Sequence, residues 1–164
     1  MKSLVTGGCG FIGSHIVDRL LKEGHDVIVI DNCSTGRMEN LAHHKGNDHL
    51  KIVQADICDY PMIAPLFEGV DWVFHMAALA DIVPSIQRPQ DYFHSNVDGT
   101  FSVLQAAKAA NVKRFMYTAS SSCYGIPDHF PTDEKADIRP EYPYALTKRL
   151  GEELALHWAQ VYKL

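Results

Sequence analysis

An α/β fold, a doubly wound parallel sheet with helices on both faces, is predicted by three features of this 164-residue chain. Short β-rich apolar runs alternate with amphipathic runs of helical period along its whole length, which is the pattern of strands joined by crossover helices. A glycine-rich turn, Thr6-Gly7-Gly8-Cys9-Gly10-Phe11-Ile12-Gly13, connects the first strand-like run to the first helix-like run. The second strand-like run ends in a carboxylate, Asp31, about 20 residues beyond the glycines, the spacing of a strand–turn–helix–strand unit.

The elements follow in order. Residues 1–5 read as a strand and residues 11–22 as a helix with an apolar stripe at Ile12, Ile16, Leu20 and Leu21. Strands are expected at 26–30, 50–54, 71–75 and 114–118, separated by helices around 62–67 and 89–110, with a last helix at about 144–162. Residues 125–143, rich in proline and charge, form the one long irregular stretch. A loop of that length at the carboxyl edge of a parallel sheet is usually functional. Five strands are fewer than the six or more of a complete doubly wound dinucleotide fold, and the fifth would be left as an apolar edge. The expectation is a single domain, residues 1–164, forming the N-terminal part of a longer protein whose last strands and substrate domain are absent from this chain.

Composition sets bounds on function. The chain is 46% apolar and 21% charged, ordinary for a globular domain with one sizeable core. Net charge is −5 and no basic run is long enough to track a phosphate backbone, so nucleic acid is not an expected partner. No apolar stretch approaches the roughly 20 residues that span a bilayer, and the N-terminus reads as a strand, not an export signal. Cys9, Cys33, Cys58 and Cys123 are scattered, as reduced thiols of a cytoplasmic protein are. No metal is expected: His43-His44 and His49 lie in a polar stretch without a third ligand at regular spacing and read as solvated.

The glycine spacing has a chemical reading. Gly7, Gly10 and Gly13 allow a sharp turn, close approach of backbone N–H groups to a phosphate, and tight packing of the new helix on its strand. Asp31 at the tip of the second strand is where a ribose 2′-hydroxyl needs an acceptor. A 2′-phosphate beside that carboxylate would set like charges together, so NAD is favoured over NADP, with Arg37 read as solvated. This points to a Rossmann-type dinucleotide-binding domain.

Tyr144-Ala145-Leu146-Thr147-Lys148 places a phenol and an ammonium on one face of a helix. The lysine charge favours the phenolate, which can take a proton from a substrate hydroxyl. Moving a tyrosine from about 10 to about 7 requires roughly 4 kcal/mol of differential stabilisation. Upstream, Ser120-Ser121-Ser122 follows the fifth strand at the ligand-binding edge, where a hydroxyl can hold the substrate oxygen.

Taken together, the chain resembles the extended short-chain dehydrogenase/reductase family, specifically its NAD-dependent nucleotide-sugar epimerases and dehydratases. Beyond the glycine turn and Tyr144-Ala145-Leu146-Thr147-Lys148, the likeness includes Asp56-Ile57, His75-Met76-Ala77-Ala78 and Asn96-Val97-Asp98-Gly99-Thr100. The resemblance implies a cofactor site of Gly7, Gly10, Phe11, Ile12, Gly13, Asp31, Asn32, Ser34, Thr35, Gly36, Asp56, Ile57, Met76, Ala77, Ala78, Asn96, Tyr144 and Lys148. It also implies catalysis by Tyr144 and Lys148, with Ser120 or Ser121 as substrate clamp. Family 4,6-dehydratases carry acidic residues after the fifth strand, where this chain has serines, so 4-epimerisation of a UDP-sugar is the better reading. A dehydratase, or a non-catalytic dinucleotide-binding module, stays open as an alternative. The resemblance implies a homodimer through the helices at about 89–110 and 144–162, and leaves the sugar unidentified.

Overall fold

The computed structural model describes residues 1–164. Five parallel strands, β1 (Lys2–Thr6), β2 (Asp26–Asp31), β3 (Leu50–Gln54), β4 (Trp72–His75) and β5 (Arg114–Tyr117), form one sheet in the order β3-β2-β1-β4-β5. Successive residues of each strand face opposite sides, so β1 and β2 supply two cores. Leu4, Ile28 and Ile30 join Phe67, Val73 and Val103 on one face, while Val5, Val27 and Val29 join Val17, Leu20 and Leu41 on the other. Each fully buried aliphatic side chain of this kind contributes about 1.5–3 kcal/mol.

Helix α1 (Phe11–Lys22) covers the second face, and the segment Met38–His44, one run of 3-10 turns, packs Leu41 beneath it. Arg19 and Lys22 sit in the last turn of α1, where the helix dipole favours cations. The first face is covered by α2 (Tyr60–Ile63) with its 3-10 continuation Ala64–Phe67, and by α5 (Gly99–Ala109). Pro65 has no N–H, so the turn at α2 tightens instead of extending as one helix over the expected 62–67.

The expected helix at 89–110 is α4 (Pro89–Phe93) running through a π-turn, His94–Asp98, into α5. A short helix before it, α3 (Ile82–Gln87), was not expected from the sequence. Pro84 falls in the first turn, where its missing N–H is not required. The last helix, α6 (Pro143–Tyr162), packs against α3, α4 and α5. Residues 125–142 are irregular apart from turns and bends, and Pro143, expected at the end of that stretch, is the first residue of α6. No helix is long and apolar enough to cross a membrane.

Candidate active site

The chain leaves β1 toward β2 on one side of the sheet and returns to place β4 on the other. Between such diverging connections the carboxyl ends of the strands leave a crevice. Here it is a groove of about 520 Å³, open to solvent, built from the ends of β1, β2 and β4. It gathers Gly7, Gly10, Asp31, Asn32, Ser34, Thr35, Gly36, Ile57, Met76, Ala77 and Ala78, all expected from sequence, with Ile30, Ala55, Leu79 and Ser95, which were missed. Ile30 follows the strand alternation into the groove, but Ala55, Leu79 and Ser95 carry no chemical signal of their own.

Two glycines shape its floor. Gly7 has φ +69°, and a Cβ there would fall 2.6 Å from the Ala77 nitrogen. A Cβ at Gly13 would overlap the Gly7 carbonyl oxygen, so the turn and α1 meet at backbone distance. Helix α1 starts at Gly10 without a side-chain cap, leaving the first N–H groups, those of Phe11, Ile12 and Gly13, with no partner inside the helix. The Phe11 and Ile12 side chains are exposed and neither lines the groove, so only the backbone of these two residues faces the glycine turn. Uncapped N–H groups beside a cradle without side chains fit a pyrophosphate.

Asp31 is buried at the end of β2. Its Oδ2 accepts the Cys9 N–H at 2.9 Å and its Oδ1 the Cys33 N–H at 2.8 Å, which ties the loop after β2 to the glycine turn. Each oxygen keeps a further lone pair for a ligand hydroxyl. Burial, then the Asp31 charge, pushes the Cys9 thiol up to about 12, so it stays neutral. Arg37 is exposed, as expected. Asp56 accepts from Asn32 Nδ2 and from the Cys58 N–H, each at 2.9 Å. Burial alone would raise its carboxyl, but these hydrogen bonds outweigh it and hold the group below the usual carboxylate range.

A buried polar chain links groove and helix α6. Thr100 Oγ1 donates to the Asn96 carbonyl at 2.6 Å, so the 2.9 Å contact from His75 Nε2 assigns that nitrogen the proton. His75 Nδ1 then accepts from Thr6 Oγ1 at 2.6 Å, and Thr6 in turn accepts the Ala77 N–H at 3.3 Å. The Asn96 side chain accepts from the Leu79 N–H at 2.8 Å and donates to the Leu79 carbonyl and to Thr147 Oγ1. Thr147 Oγ1 donates to the Tyr144 carbonyl at 2.9 Å. Asn96 therefore grips the groove wall and helix α6 together, without lining the groove itself.

Tyr144, Lys148 and Ser120 stand beside the groove and outside its lining. The Tyr144 hydroxyl donates to Ser120 Oγ at 3.3 Å, and Ser120 Oγ lies 2.7 Å from Ser122 Oγ. Of the two nominated serines the fold brings Ser120 to Tyr144, while Ser121 is exposed and has no hydrogen bond to the tyrosine. Ser122, unassigned from sequence, shares the hydroxyl pair because residues 121–124 form a 3-10 turn capped by Ser120. Lys148 is buried, and its Nζ makes no hydrogen bond within the chain; burial lowers its pKa to about 8, opposed by the Glu152 charge. A buried ammonium with unspent donors beside the groove fits the hydroxyl-rich ribose of a dinucleotide.

The sequence matches the model of the NAD dependent epimerase/dehydratase family over residues 3–164. It is 39% identical over 166 residues to a UDP-glucose 4-epimerase of Mycolicibacterium smegmatis, covering 100% of this chain and 53% of that protein. It is 40% identical to a UDP-glucose 4-epimerase of Lactobacillus helveticus, covering 97% of this chain and 47% of that one. The chain thus spans about half the length of these curated relatives. Among solved structures it superposes on a UDP-N-acetylglucosamine 4-epimerase of Methanobrevibacter ruminantium with TM-score 0.93 at 36% identity, covering 99% of this chain and 52% of that one. It superposes equally well on a dTDP-glucose 4,6-dehydratase of Streptomyces venezuelae with NAD bound, with TM-score 0.95 at 34% identity, covering 100% and 53%. With its sheet order, glycine cradle and Tyr144–Lys148 helix, the chain belongs to the NAD dependent epimerase/dehydratase family.

Proposed function

We propose that this chain is the dinucleotide-binding part of an NAD-dependent nucleotide-sugar epimerase acting at C4 of a UDP-sugar. The observation that carries the reading is the Tyr144 hydroxyl 3.3 Å from Ser120 Oγ, a proton acceptor and an oxygen clamp at one point beside the groove. Gly7, Gly10 and the first N–H groups of α1 hold the pyrophosphate, and Asp31 accepts from the adenosine ribose. Lys148, one turn along α6 from Tyr144, meets the second ribose. NAD, when bound, supplies reversible oxidation at the sugar carbon that bears the reacting hydroxyl.

Tyr144 takes the C4 hydroxyl proton while Ser120 holds that oxygen. The proton leaves and returns through the same phenol, so one oxygen pair serves both directions of the reaction. Loss of water would need an acid at the leaving hydroxyl, and residues 119–124 carry none, only Ala119, three serines, Cys123 and Tyr124. The likeness to a 4,6-dehydratase makes dehydration the second reading. Incubating the full-length protein with NAD and a panel of UDP-hexoses separates the two. A product of unchanged mass with an inverted C4 proton coupling supports the epimerase, whereas a 4-keto-6-deoxy sugar lighter by one water establishes the dehydratase.

The exposed Phe93, Phe101, Leu146 and Leu156 on α4, α5 and α6 support a homodimer through these helices, and the four unpaired cysteines fit the reducing cytoplasm. Sedimentation of the intact protein as a monomer at micromolar concentration would remove the dimer.

A further inference from the structure

The fold assembles a cluster that the proposed reaction does not use. His43 and His44, at the end of the Met38–His44 segment, both direct Nε2 at one oxygen of Asp18 on α1, at 2.8 and 2.7 Å. On the same helix, His15 Nδ1 lies 3.6 Å from the other oxygen of Asp18. One ligand atom from each of Asp18, His43 and His44 falls within 4.8 Å of the other two. Adjacent histidines lacked a third ligand in the sequence, and the fold supplies it from 25 residues upstream. His49 takes no part, because its Nδ1 pairs with Asp26 at 2.7 Å.

We propose that Asp18, His43 and His44 form a surface binding site for a first-row divalent cation of the zinc class, with His15 or water as the fourth ligand. Two imidazole nitrogens and a carboxylate oxygen are a donor set such ions take, with metal–ligand bonds of about 2.0–2.2 Å in a tetrahedron. Both Nε2 atoms already converge on one Asp18 oxygen, with the two rings 4.1 Å apart between centroids, so the donors are gathered at one point. A bound cation would tie α1 to the segment that follows the Asn32–Gly36 loop. That segment is already anchored to the glycine turn by the Arg37 N–H and Asn40 Nδ2, both donating to the Cys9 carbonyl.

The test is Co²⁺ titration of the full-length protein, free of any affinity tag, followed by visible absorption. One equivalent should give tetrahedral d–d bands without a sulfur-to-metal charge-transfer band, and Zn²⁺ should displace it and raise the melting temperature. Asp18→Asn and the double variant His43→Gln/His44→Gln should each weaken Co²⁺ binding by roughly tenfold or more, larger than typical outer-contact losses allow to be missed. Asp18 and His44 are half-buried and His43 is exposed, and a single cooperative melt without metal confirms that each variant is folded. The nearby Cys9, Asp31 and Cys33 are the competing donor group. No d–d spectrum, or a charge-transfer band that survives Asp18→Asn and vanishes in Cys9→Ser/Cys33→Ser, would overturn the site.

Discussion

The Nζ of Lys148 lies 4.3 Å above the ring of Tyr117, and the hydroxyl of that same tyrosine donates to the Lys148 carbonyl at 3.0 Å. Strand β5 thus holds both ends of one lysine, its ammonium through the ring and its backbone through the hydroxyl. The approach is possible because residue 151, one turn further along α6, is glycine: a Cβ there would overlap the Tyr117 hydroxyl oxygen. Burial raises the Tyr117 phenol above its ordinary value, so it stays a neutral donor. Tyr117 is accordingly a positioning residue for Lys148.

Tyr117→Phe keeps the ring under the ammonium and removes only the bond to the backbone, whereas Tyr117→Leu removes both. Turnover in the full-length enzyme is expected to fall modestly in the first and by roughly tenfold or more in the second, with cation–π attraction on the order of 0.5–2 kcal/mol. A pH–rate profile distinguishes positioning from plain destabilisation, since only loss of the lysine's fixed charge moves its limbs. Equal, unshifted profiles in the two variants would end the assignment.

Lys148 itself opposes folding at neutral pH. Its pKa is about 8 in the native protein against 10.5 ordinarily, chiefly from burial. Between those values the unfolded chain holds a proton that the native chain has lost, so stability rises with pH across that window and the whole penalty is present below it. Lys148→Met is therefore expected to stabilise the nucleotide-free protein at neutral pH by about 3–4 kcal/mol, the measure of that shift, while abolishing turnover. Urea unfolding of wild type and variant across the window would show the gain shrinking toward alkaline pH, and a less stable variant at neutral pH would refute it.

His75 gives the opposite limb. Full burial, helped by the Lys148 charge, lowers its pKa to about 3, against 6.5 ordinarily. Between those values the unfolded state binds a proton that the native state refuses, so stability falls as pH drops, by about 1.4 kcal/mol per unit. His75→Phe deletes this dependence but leaves the Thr6 hydroxyl without its acceptor at a cost of about 1–3 kcal/mol. Urea midpoints should thus be lower for the variant at neutral pH and converge with wild type in acid. Parallel acid limbs would mean that the imidazole is charged in the native protein.

Much of this was legible in the sequence, for reasons that can be named. Strands were placed within a residue at each end because alternating β-branched residues such as Val27 to Ile30 have no other comfortable state. The groove was legible where one residue type is demanded, as at Gly7, Gly13 and Asp31. Ser120 could not be told from Ser121, because the 3-10 turn that turns one inward and the other outward follows from packing against α6 and not from composition. Tyr117 read as a strand residue, and only the register of β5 against α6 gives it a second task. The 38–44 segment was missed outright, since Leu41 is its one buried residue, a single apolar position carries no period, and its other ties are hydrogen bonds to distant parts of the chain.

The glycines of the turn separate folding from binding. A Cβ at Gly13 would meet the Gly7 carbonyl, so Gly13→Ala should destabilise the fold by about 1–3 kcal/mol, or roughly 2–12 °C in melting temperature. At Gly10 φ is −76°, ordinary for any residue, and the only atom near a new Cβ is the Gly7 oxygen at 3.2 Å. Gly10→Ala should therefore melt close to wild type yet bind NAD roughly tenfold more weakly, by about 1.4 kcal/mol, because the methyl stands where the backbone approaches the phosphate. Calorimetric titration with NAD beside thermal melts reads both, and tight binding by Gly10→Ala would move the pyrophosphate elsewhere.

The serines allow the sharpest separation of chemistry from structure. Ser120 Oγ stands between the Tyr144 hydroxyl at 3.3 Å and Ser122 Oγ at 2.7 Å, while Ser121 is exposed. Ser120→Ala removes the oxygen clamp and also the cap that receives the Ser122 N–H, so both turnover and the local turn are touched. Ser120→Thr keeps a hydroxyl for both tasks and serves as the rescue. If the clamp is Ser120, kcat should fall by about 10²-fold in Ser120→Ala, the scale of a lost hydrogen bond to developing charge, and recover in part in Ser120→Thr. Ser121→Ala should leave kcat within about twofold, since an exposed hydroxyl away from the phenol has nothing to contribute. Ser122→Ala should fall between them, because it frees one side of the Ser120 hydroxyl without removing it. The opposite order, with Ser121→Ala the most damaging, would mean that the loop turns over when substrate binds and that the clamp is the serine now facing solvent.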